Sequence, residues 1–213
     1  MLSLYPELSS VPSALQPINA DERLNRRTLA LDVGAGVGRV TSDVLLHLVS
    51  DVVLLEPVEA FVNEALARAR AGASGSNDGN VNEKDSTWEG LAHQTRSVTV
   101  LQGTLQEFDP LNPHRVKFLD RVGYQSPRPL ADIGAGYDVI WCQWCLGHLS
   151  DADLVAFLRR GHAALRKEGS KDRSLIVVKE NLCSDNADGT GLTVFDEQDS
   201  SLTRQVYYFT SGD

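Results

Sequence analysis

The chain has 213 residues, of which 42% are hydrophobic, 23% charged and 7% aromatic, and its formal net charge at pH 7 is −9. That length is enough for one domain with a sizeable core, and the composition argues against wholesale disorder or a fibrous repeat. No apolar run approaches the roughly 18–20 residues that a membrane span needs. The acidic balance predicts that neither nucleic acid nor a membrane is a partner, and it suits a cationic substrate better.

The N-terminal residues and the cysteines bear on the cellular compartment. Residues 1–16 lack the basic start and the apolar stretch of a signal peptide. The three cysteines are an odd number, which does not suit a disulfide framework. We therefore expect a reducing compartment, namely the cytoplasm and also the nucleus.

Five short apolar runs separated by helical patterns predict an α/β fold. The predicted strands, in chain order, are 28–33, 52–55, 97–103, 137–144 and 174–180. Helical spacing of apolar residues follows Gly38, recurs from Phe61 and extends over 151–166. Strands that alternate with helices predict a mostly parallel sheet covered on both faces. In such a sheet the ligand lies beyond the carboxyl ends of the strands, at the switch in strand order.

Two stretches interrupt this pattern within a predicted single domain over 1–213. Residues 72–95 begin with a run rich in Gly, Ser and Asn, and residues 110–134 contain several prolines. Both compositions favour loops over regular structure. We therefore predict loop insertions at 72–95 and 110–134 rather than linkers between domains.

The first predicted strand runs into a glycine-rich loop, GAGVGR at 34–39. Glycines allow the backbone to turn sharply and to approach a ligand closely. The second predicted strand ends at Glu56, 22 residues after Gly34, where a carboxylate can accept hydrogen bonds from ribose hydroxyls. A dinucleotide loop has the spacing G-x-G-x-x-G, and Arg39 occupies its last position here. The G-x-G-x-G spacing after an acid is typical of enzymes that use S-adenosylmethionine, so we predict that cofactor.

Two other segments imitate functional motifs. DIGAG at 132–136 is similar to DVGAG at 32–36, the start of the glycine loop, but it precedes a predicted strand instead of following one. We therefore interpret it as a turn. WCQWC at 141–145 contains Cys-x-x-Cys, but it follows four predicted strands instead of opening a helix early in a thioredoxin topology. We predict packing cysteines. Cys142, Cys145 and His148 lack the further Cys or His of a structural zinc site, so we predict no metal.

The region after the fifth predicted strand is acidic. Between Glu180 and Asp199 there are six acids and no Lys or Arg. One interpretation is a solvated acidic loop. Because this loop leaves the carboxyl end of a strand, its acids could instead receive a cationic substrate.

The segments LDVGAGVGRVT, YDVIWCQWCLGHL, FLRR, VVKEN and FDEQDSSLTR resemble the eukaryotic alpha-N-terminal protein methyltransferases, over roughly 28–204. This family methylates the free α-amine of proteins that begin X-Pro-Lys or X-Pro-Arg. The resemblance implies a class I S-adenosylmethionine-dependent methyltransferase with a Rossmann-like sheet. Family members carry a longer N-terminal region and a final strand pair, so we expect a chain truncated at both ends, with its last strand pair missing. A small-molecule or side-chain methyltransferase and an inactive cofactor-binding regulator stay open as alternatives.

The resemblance also implies the roles of individual residues. The implied cofactor-binding residues are Gly34, Gly36, Arg39, Glu56, Leu105, Gln106 and Gln143. The implied substrate-binding residues are Trp144, Asn181, Asp196 and Ser201. The implied catalytic residues, which help to remove a proton from the amine, are Asp199 and His148. Without the resemblance, His148 could merely cap the following helix and Trp144 could belong to the core.

Overall fold

The computed structural model describes residues 26–74, 88–128, 132–167 and 174–180, together with the backbone of a strand at 206–210. The strands are β1 (Leu29–Val33), β2 (Asp51–Glu56), β3 (Ser97–Gln102), β4 (Lys117–Gly123), β5 (Val139–Gln143), β6 (Leu175–Lys179) and β7 (Val206–Thr210). The helices are a π-helical turn (Thr41–Leu45) that continues into α1 (Leu46–Leu48), then α2 (Glu59–Ser74) and α3 (Asp151–Ala163), with 3₁₀ turns at Pro113–Arg115 and Leu146–His148. In the described part of the chain, no helix has the length and apolar character to cross a membrane.

These strands form one sheet in the order β4-β3-β2-β1-β5-β6-β7. The central strands pair in parallel, whereas β4 and β7 lie antiparallel at the two edges. The chain first moves from β1 towards β3 and then returns to place β5 on the other side of β1. The strand order therefore switches between β1 and β5, which is where a sheet of this kind binds its ligand.

Burial explains why β1 and β2 form the centre of the sheet. Every residue of both strands is buried, and successive side chains point to opposite faces. Ala30 and Leu54 belong to a core cluster with residues of α2, while Leu31 and Leu55 belong to a second cluster with Phe157 of α3. The predicted α/β class, with a mostly parallel sheet covered on both faces, is confirmed.

All five predicted strands are present with small changes at their ends, but two further strands were not predicted. The strand β4 lies within 110–134, so the loop prediction is wrong for that part of the insertion. Its sequence KFLDRVG is largely exposed at its start, so it lacks the buried apolar run that marked the other strands. Its pairing with β3 also shifts register after Val100. Edge strands often carry charged side chains, which oppose pairing with a further chain.

The second strand that was not predicted is β7, which pairs antiparallel with β6. We expected the last strand pair to be missing, and this expectation is wrong for the strand beside β6. The expectation rested on the length of family members and not on these residues. The sequence VYYFT itself combines β-branched and aromatic residues, which favour a strand.

Buried ion pairs join the amino ends of the strands, at the edge opposite the glycine loop. The carboxylate of Asp138, which is fully buried, accepts hydrogen bonds from Arg26 at 2.7 and 3.0 Å and from the amide of Leu29 at 2.8 Å. The carboxylate of Asp51 pairs with Arg27 at 2.8 Å and with Arg121 at 3.0 Å. Each charge is therefore compensated, as burial requires.

Candidate active site

Two adjoining cavities lie at the carboxyl edge of the sheet, beside the switch between β1 and β5. Their volumes are about 550 and 460 Å³, and both are lined by Gly34, Gly36, Phe61 and Trp144. Both volumes fall within the range of about 300–1,000 Å³ that ligand pockets occupy. We call the pair the cleft, with the larger cavity first and the smaller cavity second.

The predicted site residues that the structure describes all line this cleft. Those lining the first cavity are Gly34, Gly36, Arg39, Gln143 and Trp144. Those lining the second cavity are Gly34, Gly36, Glu56, Leu105, Gln106, Trp144 and His148. The remaining predicted residues lie outside the described part of the chain, namely Asn181, Asp196, Asp199 and Ser201. The structure thus brings the described residues together, while the role of each one stays a prediction.

The glycine loop after β1 adopts a backbone that only glycine accepts readily. Gly34, Gly36 and Gly38 have φ angles of +61°, +56° and +81°, in the left-handed region. A Cβ atom on Gly34 would lie 2.5 Å from the Cβ of Cys145. A Cβ atom on Gly36 would meet no atom within 4 Å, so the backbone there borders open space. The loop therefore packs closely on the turn after β5 and leaves the cleft free.

Glu56 holds the glycine loop from the end of β2. Its side chain is buried, with Oε2 accepting a hydrogen bond from the amide of Gly36 and Oε1 accepting one from the amide of Val58, both at 2.9 Å. A carboxylate has about four lone-pair sites, so both oxygens can still accept from a ligand hydroxyl. Because Glu56 lines the second cavity, such a hydroxyl would approach from there.

Asp32 lies at the base of the first cavity. Its carboxylate is buried and accepts a hydrogen bond from the hydroxyl of Thr41 at 2.6 Å. Burial raises the pKa of Asp32 from 3.8 to about 7; the Thr41 hydrogen bonds lower it in part, and the charge of Glu56 raises it further. This acid therefore changes its charge near neutral pH.

Replacing Asp32 with Asn should flatten the pH dependence of stability between about pH 4 and pH 7. The unfolded carboxyl group ionises near 3.8 and the folded one near 7, so within that window the folded state binds more protons. The free energy of unfolding of the wild type should accordingly fall as pH rises through the window, and this contribution should be absent from Asp32→Asn. Urea unfolding at pH 5, 6, 7 and 8 measures both curves. Parallel curves for the two proteins would contradict the prediction.

The turn after β5 presents an aromatic side chain to the cleft. Trp144 has a φ of +56°, an uncommon value for a residue with a side chain, and the residue is 42% exposed. The ammonium of Lys179 lies 5.5 Å from the ring centroid. Beside it, Oε1 of Gln143 accepts a hydrogen bond from the indole of Trp141 at 3.3 Å. The alternative that Trp144 belongs to the core is therefore wrong.

His148 ends the 3₁₀ turn that follows and is exposed at the second cavity. Its alternative role was to cap the next helix. The N-cap of α3 is instead Ser150, whose hydroxyl accepts a hydrogen bond from the amide of Asp153 at 3.2 Å. His148 therefore does not cap α3, and it lines the second cavity instead.

Two positioning residues were missed by sequence reasoning. Arg160 of α3 donates hydrogen bonds to the carbonyls of Leu105 and Phe108 at 2.8 and 3.1 Å, which fixes the turn that carries Leu105 and Gln106. Glu180 accepts hydrogen bonds from two amides of the turn after β5. Both residues fall in segments compared for the resemblance, FLRR and VVKEN, and Glu180 also opens the acidic region after the fifth predicted strand.

The two segments that imitate motifs behave as predicted. Cys142 and Cys145 are both buried as free thiols in the core cluster on the α3 side of the sheet. A hydrogen bond with Cys145, together with burial, raises the pKa of the Cys142 thiol well above its ordinary value. Such thiols are inert. The segment 132–136 forms a turn before β5, with Gly136 at φ +105°.

Comparison with known proteins gives consistent matches. The family described as AdoMet dependent proline di-methyltransferase matches residues 7–211. "Alpha N-terminal protein methyltransferase 1" of Arabidopsis thaliana is 33% identical over 87% of this chain and 49% of its own length. "N-terminal Xaa-Pro-Lys N-methyltransferase 1-A" of Xenopus laevis is 32% identical over 97% of this chain and 71% of its own length.

Among solved structures, a SAM-dependent methyltransferase from Leishmania major is 26% identical over 75% of this chain and 44% of that chain, with a TM-score of 0.44. The chain spans about half the length of the Arabidopsis relative and 71% of the Xenopus relative. The family match nevertheless covers nearly all of the chain. The chain therefore belongs to the family of AdoMet-dependent proline di-methyltransferases.

Proposed function

We propose that this chain transfers a methyl group from S-adenosylmethionine to the free α-amine of proteins that begin X-Pro-Lys or X-Pro-Arg. One observation carries the proposal: a single cleft at the strand-order switch joins the glycine loop and Glu56 to Trp144 and His148. The first cavity offers charged groups for the amino-acid end of a cofactor. The second cavity combines Glu56 with the imidazole of His148, and Trp144 lines both cavities. The relatives from Arabidopsis thaliana and Xenopus laevis are named as methyltransferases of protein N-termini, which supports the same substrate class.

The residues of the cleft fit S-adenosylmethionine, the cofactor of the family. The amide of Gly36 already donates to Glu56, so it is not free to bind a pyrophosphate, and the carboxylate would repel one. Ribose hydroxyls can donate hydrogen bonds, and the carboxylate of Glu56 can accept them. The first cavity offers Arg39 for a carboxylate and the acids Asp32 and Asp43 for an ammonium, as the zwitterionic end of this cofactor needs.

The remaining cofactor contacts are assigned by resemblance and supported by position. Gly34 and Gly36, which line both cavities, would border the cofactor with their backbone. Leu105 and Gln106 line the second cavity, where Leu105 is buried and Gln106 exposed, and would flank the adenine. Gln143 lines the first cavity and would lie beside the cofactor. When bound, the cofactor supplies a methyl group on a sulfonium, so no covalent enzyme intermediate is needed.

In this mechanism the protein binds, orients and deprotonates the amine. An α-amine has a pKa of about 7.7–8.0, so most of it is protonated at pH 7 and only the neutral form has a lone pair for attack. Trp144 walls the peptide channel, and His148 with Asp199 takes the amine proton. By the resemblance, Asn181 would hydrogen-bond the first residue of the substrate. Asp196 and Asp199 would face its N-terminus and its basic third residue, with Ser201 close by.

The decisive experiment is mass spectrometry of a Ser-Pro-Lys peptide after incubation with the protein and S-adenosylmethionine. An Ala-Ala-Lys peptide serves as the control, because it offers the same α-amine without the second-position proline. Methylation of the first peptide only is the expected result. Methylation of neither, with binding of S-adenosylhomocysteine intact by calorimetry, would favour the inactive regulator. Methylation of both would favour a transferase of broader substrate range.

Glu56→Ala should weaken binding of S-adenosylhomocysteine by about 1–3 kcal/mol, the range for losing hydrogen bonds to a charged group. The carboxylate makes the loop contacts described above and would also accept the ribose hydroxyls. Isothermal calorimetry measures the effect, with Glu64→Ala on the exposed face of α2 as the matched control. An unchanged dissociation constant would remove Glu56 from the ribose site.

We also propose the cytoplasm and the nucleus as the location of the protein. The support is the free buried thiols of Cys142 and Cys145 and the proposed protein substrates. Imaging of a fluorescently tagged protein, with cell fractionation as a second measure, tests the proposal. Recovery in a secretory fraction would contradict it.

A further inference from the structure

The geometry points to Glu180 as a positioning residue that fixes Trp144 and His148 at the cleft by holding two backbone amides between them. This inference rests on the proposed function, because it concerns the same cleft. Glu180 follows directly after β6, while the amides belong to the turn after β5. The contact therefore joins the carboxyl ends of two neighbouring strands.

The contact is made by one carboxylate oxygen. Oε1 of Glu180 accepts hydrogen bonds from the amide of Cys145 at 2.8 Å and from the amide of Leu146 at 2.9 Å. Hydrogen bonds to an ionised acceptor are stronger than those between neutral groups. In the sequence, Cys145 and Leu146 lie between Trp144 and His148. Fixing them therefore restricts where both side chains can lie.

The turn needs such support because its backbone is strained. Trp144 has a φ of +56°, a conformation that a residue with a side chain adopts only when its surroundings hold it there. Its own amide donates to the carbonyl of Lys179 at 3.1 Å, so three successive amides of the turn are bound to the end of β6. Glu180 supplies the acceptor for two of these three.

The turn after β5 also packs against the glycine loop after β1, on the side opposite β6. The Cβ of Cys145 occupies the space where Gly34 lacks a side chain. The turn is thus held between the glycine loop and Glu180, and it cannot shift towards the loop. If the Glu180 contact is lost, the turn is free to move away from the glycine loop, and Trp144 and His148 would move with it. Small displacements of reacting groups lower rates strongly.

The first test uses the protein without cofactor. Amide hydrogen exchange followed by NMR should be faster at Cys145 and Leu146 in Glu180→Ala than in the wild type, because the two amides lose their acceptor. Glu180→Gln keeps a carbonyl oxygen and should restore most of the protection. Glu180→Asp keeps the charge but shortens the side chain by one methylene, so it should expose the amides even if the alanine variant fails to fold. Unchanged exchange in Glu180→Asp and Glu180→Ala would overturn the inference.

A matched control separates this effect from the general loss of a carboxylate. Asp120 on β4 also accepts a backbone hydrogen bond, from the amide of Arg121 at 2.8 Å, at the far edge of the sheet. Asp120→Ala should leave the exchange of Cys145 and Leu146 unchanged. Faster exchange in this control would show that the effect is not specific to Glu180 and would overturn the inference.

The second test measures activity on the Ser-Pro-Lys peptide. Glu180→Ala or Glu180→Asp should lower kcat/KM by about 10–100-fold, the scale of a misplaced reacting group, with a much smaller change in the dissociation constant of S-adenosylhomocysteine. Glu180→Gln should keep most of the activity. Normal kcat/KM in a variant with accelerated exchange would overturn the inference. A wild type that binds cofactor but methylates no peptide would instead overturn the proposed function, and the exchange result would still decide the role of Glu180.

Discussion

Gly34→Ala should destabilise the folded protein by about 2–6 kcal/mol and weaken binding of S-adenosylhomocysteine. A residue with a side chain held in the left-handed region costs about 1–3 kcal/mol. Overpacking costs a similar amount, and here the new Cβ would lie 2.5 Å from the Cβ of Cys145. Both penalties act on the loop that borders the cleft. Urea unfolding with and without S-adenosylhomocysteine measures the two effects.

Gly36→Ala is the matched control for this prediction. Its φ of +56° is close to the +61° of Gly34, but its added Cβ would meet no atom within 4 Å. It should therefore show the backbone penalty alone, about 1–3 kcal/mol. Equal destabilisation by the two substitutions would mean that contact with Cys145 contributes nothing. Partial recovery of Gly34→Ala by Cys145→Gly, which removes the opposing Cβ, would locate the overlap.

The fold was largely predictable because its central strands are short, apolar and buried on both faces. The runs at 28–33 and 52–55 have no polar alternation, which is typical of parallel strands covered by helices. Their order then predicted where ligand-binding residues gather, because carboxyl ends of parallel strands meet at one edge. The sequence therefore predicts that the glycine loop and Glu56 lie together, and they do.

What the sequence did not reveal depends on contacts between residues far apart in the chain. Arg160 binds carbonyls 55 and 52 residues away, and Glu180 binds amides 35 and 34 residues away. Neither contact leaves a periodic pattern or a local spacing. The spacing correctly predicts that Phe61 lies in a helix, but it does not predict that this residue is 47% exposed and lines both cavities of the cleft. Helical periodicity predicts which residues share one face of a helix. It does not predict which of those residues border a cavity.

The edge strand β4 was missed for a different reason. A strand with one free edge and one exposed face can carry charged residues, as Lys117 and Asp120 show in β4. Such a strand is stabilised mainly by the partner to which it pairs and not by its own apolar character. Sequence patterns report burial, so they identify the interior of a sheet before its edges.

Asp199→Asn and His148→Asn should each lower turnover by about 10²–10⁴-fold at pH 7, the usual contribution of a positioned base. His148 is exposed at the second cavity, and Asp199 belongs to the acidic region implied to face the substrate amine. Both substitutions remove a proton acceptor while keeping a polar side chain. Binding of S-adenosylhomocysteine should stay unchanged, since neither residue is assigned to the cofactor. Steady-state kinetics with the Ser-Pro-Lys peptide measures the loss.

If the two residues share one proton transfer, their effects should not add, and the double variant should be about as slow as the slower single variant. Raising the pH should partly restore turnover of Asp199→Asn, because more of the α-amine is then neutral before it binds. An Asp199 that only attracts the basic third residue would instead raise the Michaelis constant without rescue at high pH. Near-normal turnover of both single variants at pH 7, in a wild-type background that methylates the peptide, would exclude the shared role.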